Sequence, residues 1–310
     1  MCAILGYLDK TGNKAAPIGR TLLRMLIAVG CRGPDSTGVA IFGPDRGGLV
    51  LQIKLGEHGD FTARAGELLE QIETFIAVKE HTVTSSYLRA VIDERVDPQH
   101  LVQAIEQFDP ESIEVVSMGH RLEILKQVGS PQELEETYHI SQMVGTHGIA
   151  HTRLSTESRV DLSHSQPFWA HGALDVATAH NGHITNYHKL RRIYEQRGVR
   201  FYTENDSEII GIYLRDRMER GESLEEALRA SLVDFDGSFC YVAATNDALA
   251  YVKDPFGLKP LVVAETDDWV AVATEEIALR QALGDGFRTR EPGTRTMQIW
   301  PLQAPAVAAV

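Results

Sequence analysis

The chain opens MCAILGYL, which puts Cys2, one of only three cysteines in 310 residues, at the head of an apolar run. A thiol becomes a useful nucleophile only when ionised, and it needs a base beside it. With Met1 removed, the α-amine of Cys2 supplies that base from the same residue, since its ordinary pKa lies near ~8. Far along the chain, AHNGHITN holds Asn181 and Gly182. A side-chain amide and a neighbouring backbone N–H can converge on one developing oxyanion. AHTRLSTES sets Arg153 near a strand end, where a guanidinium can grip a carboxylate through two parallel bonds. TENDSEII sets Asp206 before an apolar run, where its carboxylate can face an ammonium. CRGPDSTG offers Gly33 as a place where backbone can form a pocket wall. Each piece alone has a plainer explanation. Cys2 fits a small apolar residue in an edge strand, and Asn181–Gly182 fits a hairpin turn. Arg153 fits a surface ion pair, Asp206 a helix cap, and Gly33 a turn. Together they describe a pocket for a free amino acid with a reactive side-chain carbonyl.

The elements that would position these groups read as mixed α and β. CAILGYL reads as a strand that carries Cys2 at its tip, and residues 19–30 as a helix ending on Gly30. VAIFG and LVLQIKL, separated by PDRGG, read as a hairpin. From about 56 to 144 no chemical motif occurs; helices are expected near 60–73, 97–108 and 130–138, with strands at IEVVSM and LEILKQV. This stretch reads as an inserted small α/β subdomain in a domain of residues 1–300, followed by a tail at 301–310. LDVATAHNGHI reads as a strand entering a turn at Asn181–Gly182, and helices follow near 186–197, 206–219 and 223–233. SFCYVAAT, ALAYVKD, LVVAET and WVAVAT are four closely spaced strands, and EEIALRQAL is a last helix.

Composition narrows the class. With 43% hydrophobic and 24% charged residues, the chain has the make-up of an ordinary globular protein. A formal net charge of −13 argues against a nucleic-acid partner, which calls for clustered Lys and Arg. No apolar run approaches the ~20 residues of a membrane helix, and the opening run lacks the basic flank of a signal peptide. Cys2, Cys31 and Cys240 are scattered and odd in number, which suits reduced thiols of a cytoplasmic protein. His147 and His151 are four apart, but HGIAH reads as strand, so no helical metal pair is expected there.

The motifs occur in the order of a known family. MCAI, RGPD at Arg32–Asp35, AHTRLST at Ala150–Thr156, HNG at His180–Gly182, NDSE at Asn205–Glu208 and KDPFGLKPL at Lys253–Leu261 resemble those of the class II glutamine amidotransferases. These are N-terminal nucleophile (Ntn) hydrolases. The resemblance implies an α+β fold, the four-layer αββα sandwich, and hydrolysis of L-glutamine through a thioester. It implies Cys2 as nucleophile, Asn181 and Gly182 as oxyanion hole, and Arg153 and Asp206 as holders of the α-carboxylate and α-ammonium. Arg32, Gly33 and Thr156 would line the pocket. Ala3 and Ala150 stand where the family has glycine; each methyl group is expected near the site, either narrowing the pocket or reflecting a different backbone angle.

The narrower likeness is to glutaminase-type subunits of glutamate-synthase-like complexes, N-methylglutamate synthase among them. It implies no cofactor on this chain and separate synthase subunits carrying flavin and iron–sulfur centres. The motif-free stretch 56–144 is a candidate for part of the docking surface, its plainer reading being a variable lid or surface decoration. Two other classes share the nucleophile or the fold: an Ntn amidase or acylase, which would not need Arg153 and Asp206 together, and a non-catalytic assembly subunit.

Overall fold

The computed structural model describes residues 2–93, 97–155 and 159–302. In chain order the first half comprises β1 (Ala3–Asp9), α1 (Ile18–Val29), β2 (Ser36–Phe42), β3 (Leu49–Lys54), α2 (Phe61–Glu73), β4 (Val78–Thr84), β5 (Tyr87–Ile92), α3 (Pro98–Glu106), β6 (Glu114–Gly119), β7 (Leu122–Val128) and α4 (Pro131–Tyr138). The second half opens with β8 (His147–Arg153), β9 (Phe168–Trp169), β10 (Val176–Ile184), α5 (Tyr187–Gln196), α6 (Glu208–Glu219) and α7 (Leu224–Asp234). It closes with β11 (Gly237–Thr245), β12 (Ala248–Lys253), β13 (Val262–Glu265), β14 (Trp269–Ala273), α8 (Glu276–Leu283), β15 (Thr289–Arg290) and β16 (Thr296–Pro301).

The strands form three sheets. One has seven strands in the order β15-β13-β14-β1-β8-β2-β7, one has five in the order β16-β12-β11-β10-β9, and one has four in the order β4-β5-β3-β6. The seven- and five-stranded sheets face each other across a shared apolar core that includes Leu8, Ile149, Ala179, Val242 and Leu249. Each fully buried side chain of this size contributes roughly 1.5–3 kcal/mol. Because side chains alternate along a strand, the opposite face of the seven-stranded sheet is free to take α1. That helix buries Ile18, Leu22, Met25 and Leu26, the stripe that a 3.6-residue period places on one side. The other face of β10–β12 presents Phe239, Tyr241 and Val252 to a second core with Ile209 and Ile212 of α6 and Leu228 of α7. Ser223 starts α7 with a reciprocal bond to Glu226, which fixes where that helix begins. Among the described residues no helix is long and apolar enough to cross a membrane.

Two sequence expectations are corrected here. VAIFG and LVLQIKL are not a hairpin: β2 pairs with β7 and β8, whereas β3 pairs with β5 and β6 in the separate four-stranded sheet. The stretch from 56 to 144 is therefore divided between sheets, since β3 enters the four-stranded sheet from before it and β7 returns to the seven-stranded one. Asn181–Gly182 is not a turn either. β10 runs straight through both residues, pairing Asn181 with Cys240 and Gly182 with Phe239.

Candidate active site

Cys2 directly precedes β1, which lies inside the seven-stranded sheet between β8 and β14. The register sets Ala3 opposite Thr152 and Leu5 opposite both Ala150 and Ala273. The chain leaving β8 wraps the thiol: Sγ accepts from Leu154 N at 3.4 Å and donates to Leu154 O at 3.6 Å. The Cys2 carbonyl is held from two sides, by Arg32 Nε at 3.3 Å and Asn181 Nδ2 at 3.2 Å. Arg32 also pairs with Glu275, next to the start of α8. Asn181 Nδ2 donates to Thr274 Oγ1 as well, at 3.1 Å, and the same hydroxyl accepts from Ile4 N at 2.9 Å. Position 2 is thus clamped through its backbone while its side chain stays partly open.

Gly182 adopts φ +125°, a conformation that L side chains rarely take. A Cβ there would lie 2.1 Å from Ser238 O, so only glycine lets β11 approach. Gly33 has a similar reason: a Cβ would lie 2.5 Å from Arg153 N, where the backbone of β8 crosses it. Asp35 continues this contact, its Oδ2 accepting from Ser155 N at 2.7 Å. The RGPD turn therefore braces the strand end that carries Arg153. Arg153 is buried, and its Nη1 donates to Arg159 O at 2.8 Å. Burial pulls its pKa below the ordinary value, against the opposing pull of Cys2, Asp161 and Asp35.

Asp206 does not cap α6 with its side chain. Its Oδ2 accepts from Ile184 N at 2.8 Å, and Oδ1 lies 3.8 Å from His180 Nδ1. The turn before α6 is held instead by Glu208, which accepts from Tyr202 N, Thr203 N and Thr203 Oγ1 at 2.8–2.9 Å. Gln166, which sequence reasoning missed, knits the floor: it accepts from His180 N at 2.7 Å and donates to His180 O and Ser207 Oγ. His180 Nδ1 meets the same hydroxyl at 2.8 Å. Three residues distant in sequence and without a shared motif make this network, so only the tertiary fold reveals it.

A cavity of about 750 Å³ opens here, lined among others by Cys2, Arg153, Gly182, Tyr187 and Asp206. A thiol, a cation and an anion thus share one concavity. Arg32, Gly33 and Asn181 lie outside the lining and act on it through the Cys2 carbonyl and β8. Thr156 lies outside the described residues. Ala3 and Ala150 are fully buried on the face of the seven-stranded sheet that packs against α1 and do not line the cavity, so their methyl groups do not narrow it. Among the described residues no cluster of three or more His, Cys, Asp or Glu could hold a metal. His147 and His151 instead bond to the carbonyls of Thr245 and His180, and burial pushes each to about 3, which keeps both rings neutral.

A family model described as a glutamine amidotransferase domain matches residues 151–281. A protein of Methanothermobacter thermautotrophicus, provisionally named a glutamine amidotransferase, is 37% identical over 91% of this chain and 94% of its own length. The glutamine amidotransferase-like protein GlxB of Rhizobium meliloti is 34% identical over 99% of this chain and 100% of its own. Among solved structures, the glutamine phosphoribosylpyrophosphate amidotransferase of B. subtilis, complexed with ADP and GMP, superposes with a TM-score of 0.61 over 96% of this chain. At 19% identity that likeness concerns the fold, and the chain spans 47% of that structure's length.

Proposed function

This chain belongs to the class II glutamine amidotransferases, and on that premise we propose that it hydrolyses the side-chain amide of L-glutamine through a thioester on Cys2. The observation that carries the reading is the cavity in which the Cys2 thiol lies with Arg153 and Asp206. That charge pair matches the carboxylate and ammonium of a free amino acid. We read the stack of α1, the seven-stranded sheet, the five-stranded sheet and α6–α7 as the αββα sandwich of an Ntn hydrolase.

In this mechanism the freed α-amine of Cys2 takes the thiol proton, and Sγ attacks the amide carbon. The oxyanion forms near Asn181 Nδ2 and the Gly182 N–H. The amine returns its proton to the leaving nitrogen, ammonia departs, and water attacks the thioester to give glutamate and restore the thiol. Both hydrogens of Asn181 Nδ2 are engaged here, with Cys2 O and Thr274 Oγ1. Stabilising an oxyanion requires one of these bonds to be exchanged, so a low basal rate is expected of the isolated chain. We assign the nitrogen acceptor to a separate synthase subunit of the glutamate-synthase type, such as that of N-methylglutamate synthase.

The test is glutamine hydrolysis by the purified chain, its Cys2→Ala variant, and the chain treated with a glutamine-mimicking alkylator. Loss of activity in the variant and a single adduct on Cys2 are expected, with intact mass showing Met1 absent. Hydrolysis by Cys2→Ala, or full activity with Met1 retained, refutes the mechanism. Co-elution with a co-expressed synthase subunit, together with a raised glutaminase rate, tests the partner.

A further inference from the structure

A second cavity, of about 650 Å³, lies between α3 and the segment joining α5 to α6, and shares no lining residue with the first. Its walls include Glu106 of α3, His171, Arg197, Arg200, Tyr202 and Arg215 of α6. Three guanidinium groups converge on it from different parts of the chain. All three are partly matched: Arg200 Nη1 donates to Glu106 Oε2 at 3.0 Å, Arg197 pairs with Asp216, and Arg215 Nε lies 3.5 Å from Glu219. Two buried nitrogens make no hydrogen bond. His171 is only 8% exposed, yet its Nδ1 has no hydrogen-bond partner. Arg215 Nε is likewise buried without a hydrogen bond, its nearest carboxylate being Glu219 at 3.5 Å, while Arg215 Nη1 donates to His171 O. A buried polar atom left without a hydrogen bond costs roughly 1–3 kcal/mol, least where an ionic partner stands by as Glu219 does for Arg215, so two in one concavity call for an explanation.

An oxygen acceptor placed between Arg215 Nε and a His171 Nδ1–H would satisfy both. A carboxylate or phosphate group has the required lone pairs and charge, and it matches a guanidinium better than a neutral oxygen does. The amide side chains of Gln99, Gln103 and Gln107 line the remainder and suit a polar body. The volume falls in the range of small-metabolite sites.

The wall of this cavity is continuous with the wall of the first. Tyr202 stacks on His171 at 4.0 Å between centroids, and its hydroxyl donates to Glu106 at 2.9 Å. Its backbone N–H is fixed by Glu208, and Glu204, Asn205, Asp206 and Ser207, a few residues on, line the catalytic cavity. We propose that the second cavity binds a small carboxylate- or phosphate-bearing metabolite, and that segment 199–208 carries the effect of binding to the first cavity.

The test measures binding directly, so its failure is distinct from failure of the glutaminase reading. Citrate and inorganic phosphate are each titrated into the full chain at constant ionic strength, with chloride as control. Calorimetry is read beside the fluorescence of Trp169, whose ring lies 4.9 Å from that of His171. Saturable binding is expected with citrate, phosphate or both, and the stronger probe distinguishes a carboxylate from a phosphate source. Arg215→Gln and His171→Phe should each weaken binding by about ten-fold or more. The Phe variant keeps the ring packed against Tyr202, so its melting temperature reports whether the fold is intact. The KM for glutamine should shift at saturating probe, and glutamine should change probe affinity by the same factor. A response equalled by chloride, no saturation with either probe, or undiminished binding in both variants overturns the site. An unchanged glutamine KM under saturating probe overturns the coupling.

Discussion

Replacing Asp206 with Asn is a sharp perturbation because it changes charge and little else. The new side chain keeps its length and an oxygen for Ile184 N, which now donates at 2.8 Å, so the end of β10 should hold. What disappears is the negative charge facing the cavity. An ammonium about 4 Å from a carboxylate gains about 4 kcal/mol at an effective dielectric of ~20. The Asp206 side chain is 19% exposed, so solvent removes part of that; about 2–3 kcal/mol should remain. No compensating charge arises nearby. Burial already holds His180 below its ordinary pKa, and Asp206 opposes that shift, so its loss leaves the ring neutral. Since the ammonium does not change charge during hydrolysis, the loss should fall on binding. KM for glutamine should rise roughly 30–150-fold while kcat changes far less. The assay is steady-state hydrolysis of glutamine beside 4-carbamoylbutanoate, which is glutamine without its α-amino group. The variant should be impaired on glutamine and nearly normal on the analogue. Equal losses on both substrates, or an unchanged KM for glutamine, would refute the assignment of Asp206 to the ammonium.

Gly182→Ala should cost about 3 kcal/mol or more in thermal unfolding, from forced positive φ and a clash with Ser238 O, and should abolish most hydrolysis; a variant with unchanged melting and rate would remove the geometric role given to this residue. His164 bridges Asp161 at 2.7 Å and Glu204 at 3.2 Å on the cavity rim. Burial opposes its charge, but hydrogen bonds to the two carboxylates outweigh that and raise its pKa. Its stabilisation is therefore fully present below the ordinary histidine value and is lost as pH rises through the raised one. His164→Gln should lower stability by roughly 1 kcal/mol near pH 6 and by little near pH 9, so a melting difference that does not vary with pH would exclude the charged bridge.

Much of the site was legible because its residues announce themselves by type. Cys2, Arg153 and Asp206 stood out as reactive or charged groups among apolar strands, and they do share one cavity. What failed was local inference about partners. Asn181–Gly182 has the composition of a tight turn, but β11 pairs along the whole of β10, and the close approach of Ser238 O is what demands glycine. The run from Val39 to Leu55 looked like a hairpin because nothing local states that Val39 will pair with Leu125 and Ala150 instead. β4 escaped notice for a different reason. It is an edge strand with most residues exposed, so VKEHTVT carries little of the apolar alternation that marks a half-buried strand. Of the two readings of Ala3 and Ala150, a narrowed pocket does not hold, because sequence proximity to Cys2 and Arg153 does not say which way a methyl group faces.

The pairing of β1 with β14 also sets the timing of the site's assembly. Leu5 lies opposite Ala273, so the strand bearing the thiol leaves the ribosome long before the strand that flanks it exists. At ~5–20 residues per second, that interval is on the order of tens of seconds. Through it Cys2 has neither the Thr274 hydroxyl nor the Asn181 amide to fix its backbone, because both come from later in the chain. Through most of synthesis this segment therefore lacks the two groups that hold the Cys2 carbonyl and the Ile4 N–H in the finished fold. The candidate site is complete only when synthesis is nearly done.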